Sequence, residues 1–367
     1  MYPSSNTLIA RGRIPGLDGL RAVSVVLVML SHFGFERLLP GALGVTIFFF
    51  ISGFLITILL LREFETHKKI VLSSFFIRRQ IRLLPELLFY ILLSGIIGAA
   101  YVGIPKLHDY LTAILYASNY FQVFAPSVLG ITDFRWPHLW SLAVEQHFYL
   151  TFPFIFAALI MKPNRLILAL AGLCIAILLW RITIIASGGS PRYTYEASDA
   201  RMDSIAYGCM TALILWFELG NKAFNLDRWF YPLITTGAAL LVLSIALRSA
   251  FFRETFRYSV QGLAFMLIFI ALYGSEKPRF FINLLEVKPL VWMGNMAYGA
   301  YLWHFDFLVF VQSFHLDSSF ETRPIYTIVS ASALIGCTFM MAYTSYRFVF
   351  VPSQKWLKQR KLERVGA

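Results

Sequence analysis

The chain has 367 residues, of which 58% are hydrophobic and only 14% charged, with a formal net charge of +12. A soluble protein of this length carries about a quarter charged residues, so a water-covered globule is excluded. The composition instead marks an all-α, polytopic integral membrane protein of the cell membrane, in keeping with a mean hydropathy of +0.66. In a soluble chain the basic excess would raise nucleic acid as a partner; here the basic residues gather in particular loops, the pattern of membrane topology. Cys174, Cys209 and Cys337 lie in apolar runs without CxxC or Cys/His spacing, so they read as small core residues, and no metal site is expected.

Residues 1–13 are polar and lack the apolar core and small-residue cleavage site of a secretory signal, so the first apolar run is expected to be a retained span. Runs long enough to cross a bilayer, about 17 to 25 residues, follow near 19–35, 41–61, 86–104, 139–160, 165–186, 203–217, 229–247, 257–274, 290–313 and 325–349. They predict about ten transmembrane helices in one membrane domain, 14–350, between a short amino-terminal segment and a basic tail, 351–367. With the amino terminus in the cytoplasm, Arg11, Arg13, Arg21, the stretch Arg62 to Arg82, Lys162 and Arg165 lie inside, as do Lys355, Lys358, Arg360, Lys361 and Arg364. Both termini are then cytoplasmic, and only the trio Arg248, Arg253 and Arg257 departs from the positive-inside rule.

The first run ends in "SVVLVMLSHFGFE". Asp18, Arg21, Ser24, Ser31 and His32 share one arc of the helical wheel, and Arg21 and His32, close to three turns apart, are separated by about 16 Å along the axis. His32 in such a stripe is either an interhelical hydrogen-bonding group or a functional titratable one. Ahead of the third run, "SFFIRRQIRLLPELL" sets Arg79 and Arg82 one turn apart, with Pro85 suited to the first turn of the span. Two arginines so spaced can grip a phosphate, or simply anchor to membrane lipid headgroups.

The fourth run opens with "PHLWSLAVEQHFYLTFP". Ser141, Glu145 and Tyr149 recur at i, i+4 and i+8, which turns a carboxylate into a polar seam at the depth expected for His32. Its alternatives are pairing with an arginine, or with His138 or His147. Further on, "EASDARMDSIAYG" supplies Asp199, Arg201 and Asp203, and "GNMAYGAYLWHFDF" supplies Tyr298, Tyr301, His304 and Asp306. Such groups are the usual tools for sugar hydroxyls. For Arg201 the structural alternative is a salt bridge to either flanking aspartate, and for Tyr301 and His304 it is interfacial anchoring. The polar residues divide by side, with arginines able to hold a phosphorylated donor inside and His32, Glu145 and hydroxyl-binding groups toward the outside. That division points to group transfer across or within the bilayer.

The segments "GLDGLRAVSVVLVMLSH", "GVTIFFFISGFLIT", "FFIRRQIRLLP", "WSLAVEQHFY" and "MAYGAYLWH" together resemble, in order and spacing, the acyltransferase-3 family of bacterial membrane O-acyltransferases, from about Ile14 to Phe350. The resemblance implies an acyl-CoA donor, usually acetyl-CoA, taken from the cytoplasm. The implied acceptor is a hydroxyl, most often of a surface or lipid-linked saccharide of the cell envelope. It implies His32 as the catalytic histidine with Arg21 as its accompanying arginine, and Arg79 and Arg82 on the phosphates of CoA. The W-S-L-x-x-E pattern matches Trp140, Ser141, Leu142 and Glu145, and the D-x-R-x-D pattern matches Asp199, Arg201 and Asp203.

On this reading His32 is general base or acyl carrier and Glu145 orients or balances it, while Trp140, Ser141, Asp199, Arg201, Asp203, Tyr301 and His304 bind substrate. Some members carry a fused extracytoplasmic esterase-like domain. This sequence stops at Ala367 without one, which implies direct acylation of the acceptor or a separate extracytoplasmic partner, with a homodimer also open. Two rivals are acylation of a small molecule such as a macrolide sugar, and a proton-coupled transporter using His32 and Glu145 as a relay. The transporter gives the arginines before Pro85 no role, and the spans show no two-fold internal symmetry.

Overall fold

The computed structural model describes residues 12–218, 226–275, 277, 279–316 and 323–365. Arg11 lies outside the described residues, and the side chains of Arg360, Lys361 and Arg364 are likewise not described. Each of the ten apolar runs is helical: α1 (Leu17–Leu30), α2 (Gly41–His67), α3 (Leu72–Val102), α4 (Trp140–Leu159), α5 (Pro163–Ala186), α6 (Ser198–Leu213), α7 (Leu226–Ala246), α8 (Arg257–Gly274), α9 (Ala297–Ser313) and α10 (Pro324–Ser345). Among the described residues there is no strand. Among the described residues, eight helices are long and apolar enough to cross a membrane, namely α1 to α5, α7, α8 and α10 with their continuations. The chain is thus an all-α, multi-pass membrane protein.

The two remaining runs differ for physical reasons. In α6, 14 of the 16 residues are buried, so its charged first turns face other helices and not lipid. The run 290–313 divides at Met296 into a short helix, Lys288–Asn295, and α9. This break lets Gly294 lie against α1, where an added Cβ would come within 1.8 Å of the Asp18 carbonyl oxygen. A second close approach joins α2 and α6. A Cβ on Gly53 would lie 1.9 Å from the Ile205 carbonyl oxygen, and one on Gly208 would lie 2.0 Å from that of Phe50. Small residues that let two backbones touch are the usual means of helix association in lipid, where burial alone supplies no driving force.

The third span departs from its expected start. It begins at Leu72, so Pro85 falls inside the helix and not in its first turn, and Arg78, Arg79 and Arg82 are helical residues. Proline cannot donate to the carbonyl four residues back, and the Ile81 carbonyl left open there accepts from Gln354 Nε2 at 3.3 Å. The donor comes from the helix Val351–Val365, which continues α10 and docks the basic tail on α3. The carbonyl of Gly12 likewise accepts from Arg62 Nη1 at 2.7 Å, bringing the start of α1 to the end of α2. The basic segments therefore share one end of the bundle, which the positive-inside rule reads as cytoplasmic.

At the opposite end, α1 closes in a wide five-residue turn, Ser31–Phe35. Gly34, at φ 98°, takes the left-handed conformation that ends the helix, and His32 sits in this last turn. Short helices cap the same end between the spans, at Leu107–Ile114, Ser118–Leu129 and Pro191–Glu196.

Candidate active site

A cavity of about 380 Å³ runs into the bundle from the basic end. Arg13, Arg21, Arg62, Arg79 and Arg82 line it, against Asp18, Glu86 and Glu145, so its walls are net basic. Asp18, in the first turn of α1, accepts from Arg13 Nε at 2.7 Å and from Arg21 Nη1 at 2.9 Å. Arg79 stacks on Tyr149, its Cζ 3.9 Å from the ring centroid, and its Nη2 lies 3.6 Å from Glu145 Oε2. Its buried Nε has no hydrogen-bond partner among the described residues. Basic donors facing a space with few carboxylates are suited to holding an anionic ligand by charge-assisted hydrogen bonds.

The inner end of the cavity is formed by Ser141 and Tyr301, whose hydroxyls lie 2.7 Å apart. Tyr301 also donates to the His138 carbonyl at 2.8 Å. Beyond this pair lies a cluster of three imidazoles. His32 Nδ1 is 3.0 Å from His304 Nε2, and the two ring planes are 2° apart. The His138 ring crosses that of His304 at a centroid distance of 5.5 Å and stacks on Phe305 at 4.8 Å. The structure thus gives His32 an imidazole neighbour. Glu145 does not pair with His32: besides Arg79 it accepts from Ser52 at 2.7 Å and from Tyr149 at 3.3 Å, one turn nearer the basic end than Ser141. The arginine alternative for Glu145 is therefore the one realised, whereas His147 bonds Ser198 at 2.7 Å.

The two aspartates at the entry of α6 are occupied by their own surroundings. Asp199 accepts from Tyr120 at 2.7 Å, Trp180 at 2.6 Å and Tyr193 at 2.6 Å. Burial, and then the bond to Asp199, pushes the Tyr120 phenol up to about 12. The Tyr193 phenol is raised for the same two reasons. Asp203 pairs at 2.7 Å with Arg181 of α5, both fully buried. Arg181 further donates to the Thr255 and Ala200 carbonyls and to Ser259.

Arg201 bonds neither aspartate, contrary to the salt bridge weighed for it. It lies 3.6 Å over the Tyr258 ring among Phe49, Trp140 and Tyr195, with one weak bond to Thr46 at 3.3 Å. Trp140 belongs to this aromatic cage. Of the residues singled out from sequence, Arg21, Arg79, Arg82, Ser141, Glu145 and Tyr301 therefore line one cavity, and His32 and His304 sit behind its inner end. Trp140, Asp199, Arg201 and Asp203 form packing and polar contacts to one side. Sequence reasoning missed Ser52, Glu86 and Arg181. For Arg181 a signal existed, since an arginine in the apolar run "ILLWRITIIAS" requires a partner.

A sequence model described as an acyltransferase domain matches residues 14–342. The chain is 33% identical over 364 residues to the O-acetyltransferase OatA of Staphylococcus aureus, covering 93% of this chain and 57% of that protein. It is 28% identical over 373 residues to the peptidoglycan O-acetyltransferase OatA of Listeria monocytogenes, covering 95% of this chain and 57% of that protein. The chain thus spans 57% of the length of these relatives. No solved structure matches it.

Proposed function

The chain belongs to the acyltransferase-3 family, and from that premise we propose that it is a membrane O-acetyltransferase, moving acetyl from cytoplasmic acetyl-CoA to a saccharide hydroxyl of the cell envelope. The observation that carries this reading is the single cavity joining a mouth of arginines to the Ser141–Tyr301 pair, behind which His304 and His32 lie in hydrogen-bonding contact. The acceptor class is taken from the peptidoglycan named for the Listeria relative.

In this mechanism Arg21, Arg79 and Arg82 hold the phosphates of the donor at the basic end. The flexible pantetheine arm carries the thioester inward past Glu145 toward Ser141 and Tyr301. His32 takes the proton of the acceptor hydroxyl as that oxygen bonds to the thioester carbonyl carbon. The carbon–sulfur bond breaks, and the CoA thiolate leaves with the proton returned by His32. No net charge crosses the membrane, so the reaction needs no coupled ion.

The test is release of free CoA from labelled acetyl-CoA by the purified protein in lipid nanodiscs, with and without a peptidoglycan-derived oligosaccharide. The expected result is acceptor-dependent release that is lost in His32→Ala. An absence of acceptor-dependent release, or a wild-type rate in His32→Ala, overturns the proposal.

A further inference from the structure

We propose that His304 is a positioning residue that fixes the tautomer of His32, so that Nε2 of His32 is the nitrogen that meets the acceptor hydroxyl. The argument starts from the Tyr301 backbone carbonyl, which can only accept. It lies 2.5 Å from His304 Nδ1, so that nitrogen carries the His304 proton. A neutral imidazole has one N–H, which leaves His304 Nε2 with a bare lone pair. That lone pair faces His32 Nδ1 at 3.0 Å, so His32 Nδ1 must donate. The remaining nitrogen of His32, Nε2, is then unprotonated and basic. The two ring planes are parallel to within 2°, with their centroids 5.1 Å apart.

Sequence reasoning offered His304 as a binder of the acceptor. Its position does not fit that role, because the side chain is fully buried and both ring nitrogens are engaged. His138 and Phe305 crowd its ring at centroid distances of 5.5 and 6.3 Å and keep it from turning. The arrangement does what the third member of a hydrolase triad does, namely hold the base in one tautomer and orientation. Here the holding group is a second imidazole anchored on a backbone carbonyl. The anchor of His304 lies within α9, since Tyr301 and His304 are one turn apart.

The catalytic consequence rests on the acetyl-transfer reading, whereas the tautomer itself does not, and two measurements separate them. Nitrogen-15 NMR of the histidine-labelled full chain in nanodiscs should show His32, identified by its loss in His32→Gln, with Nδ1 protonated and Nε2 bare. In His304→Ala the His32 signal should become a mixture of tautomers. His304→Gln, whose side-chain oxygen can accept from His32 Nδ1, should restore the single form and shows that the fold survives. In kinetics, His304→Ala should lower kcat by about 10²-fold, the low end of what a positioned base supplies, with KM for acetyl-CoA and for acceptor unchanged. His304→Gln should regain most of that loss. A wild-type His32 with bare Nδ1 overturns the proposal, as does a His304→Ala enzyme with intact kcat and a raised acceptor KM. If wild type transfers no acetyl group but its His32 shows the expected tautomer, the functional reading fails and the positioning stands.

Discussion

Arg79 Nη2 lies 3.6 Å from Glu145 Oε2, and this ion pair, with the Ser52 hydroxyl on the other carboxylate oxygen, occupies Glu145 at the centre of the bundle. The carboxylate therefore holds the Arg79 guanidinium at the cavity wall, where the proposed mechanism has it grip the donor phosphates. Glu145→Gln should raise the KM for acetyl-CoA by about tenfold, the scale of one hydrogen bond to a charged group, while kcat at saturation stays within about twofold. Steady-state kinetics in nanodiscs checks this. A large fall in kcat at unchanged donor KM would instead return Glu145 to the side of His32.

The buried Arg181–Asp203 pair makes a prediction about stability. Both side chains have zero exposure, and Arg181 spends its remaining donors on Ser259 and two backbone carbonyls. Removing one partner leaves an uncompensated buried charge, so Asp203→Asn should lower stability by about 3–5 kcal/mol. The double replacement Arg181→Met with Asp203→Leu should be less damaging than that single change. Unfolding midpoints in detergent distinguish them. A harmless Asp203→Asn would show that the aspartate is not needed as the counter-charge.

Asp199 anchors three donors from three different segments: Tyr120, Trp180 and Tyr193. Asn at this position presents one acceptor oxygen where the carboxylate presents two, so at least one of the donors loses its partner. Asp199→Asn should cost about 1–3 kcal/mol in stability and leave the acceptor KM unchanged. A raised acceptor KM at unchanged stability would identify Asp199 as a saccharide ligand after all.

What could be read from sequence follows from how local each signal is. An apolar run of bilayer length needs no partner to announce itself, and all ten runs are helical. The arginine mouth was legible too, because Arg79 and Arg82 share a helix and their spacing is set by its pitch. His32 and His304 are 272 residues apart, and nothing within either helix states that their nitrogens meet. The same distance effect misdirected Glu145, which shares a polar seam with Ser141 but finds its counter-charge on α3. In the D-x-R-x-D segment a helix places neighbours two apart on different faces. Arg201 therefore turned into an aromatic cage while Asp203 met Arg181 of another span. The start of α3 was misread because Pro85 suits a first turn when viewed alone. The carbonyl that an internal proline leaves open there is met by the tail helix, through Gln354, far along the sequence.

That last relationship can be isolated by a double-mutant cycle. With Pro85 in place the Ile81 carbonyl has no amide to receive, and Gln354 Nε2 supplies the bond at 3.3 Å. Gln354→Ala should therefore destabilise by about 1 kcal/mol, the net worth of such a bond where the carbonyl would otherwise go unpaired. In a Pro85→Ala background the residue-85 amide can donate to Ile81 along the helix, so the carbonyl is satisfied without the tail. There Gln354→Ala should cost close to nothing, giving a coupling of about 1 kcal/mol between positions 85 and 354. Unfolding midpoints of the four proteins in one detergent measure it. A cost for Gln354→Ala that is the same in both backgrounds would mean that Gln354 stabilises the tail through some other contact and not by completing the helix at Pro85.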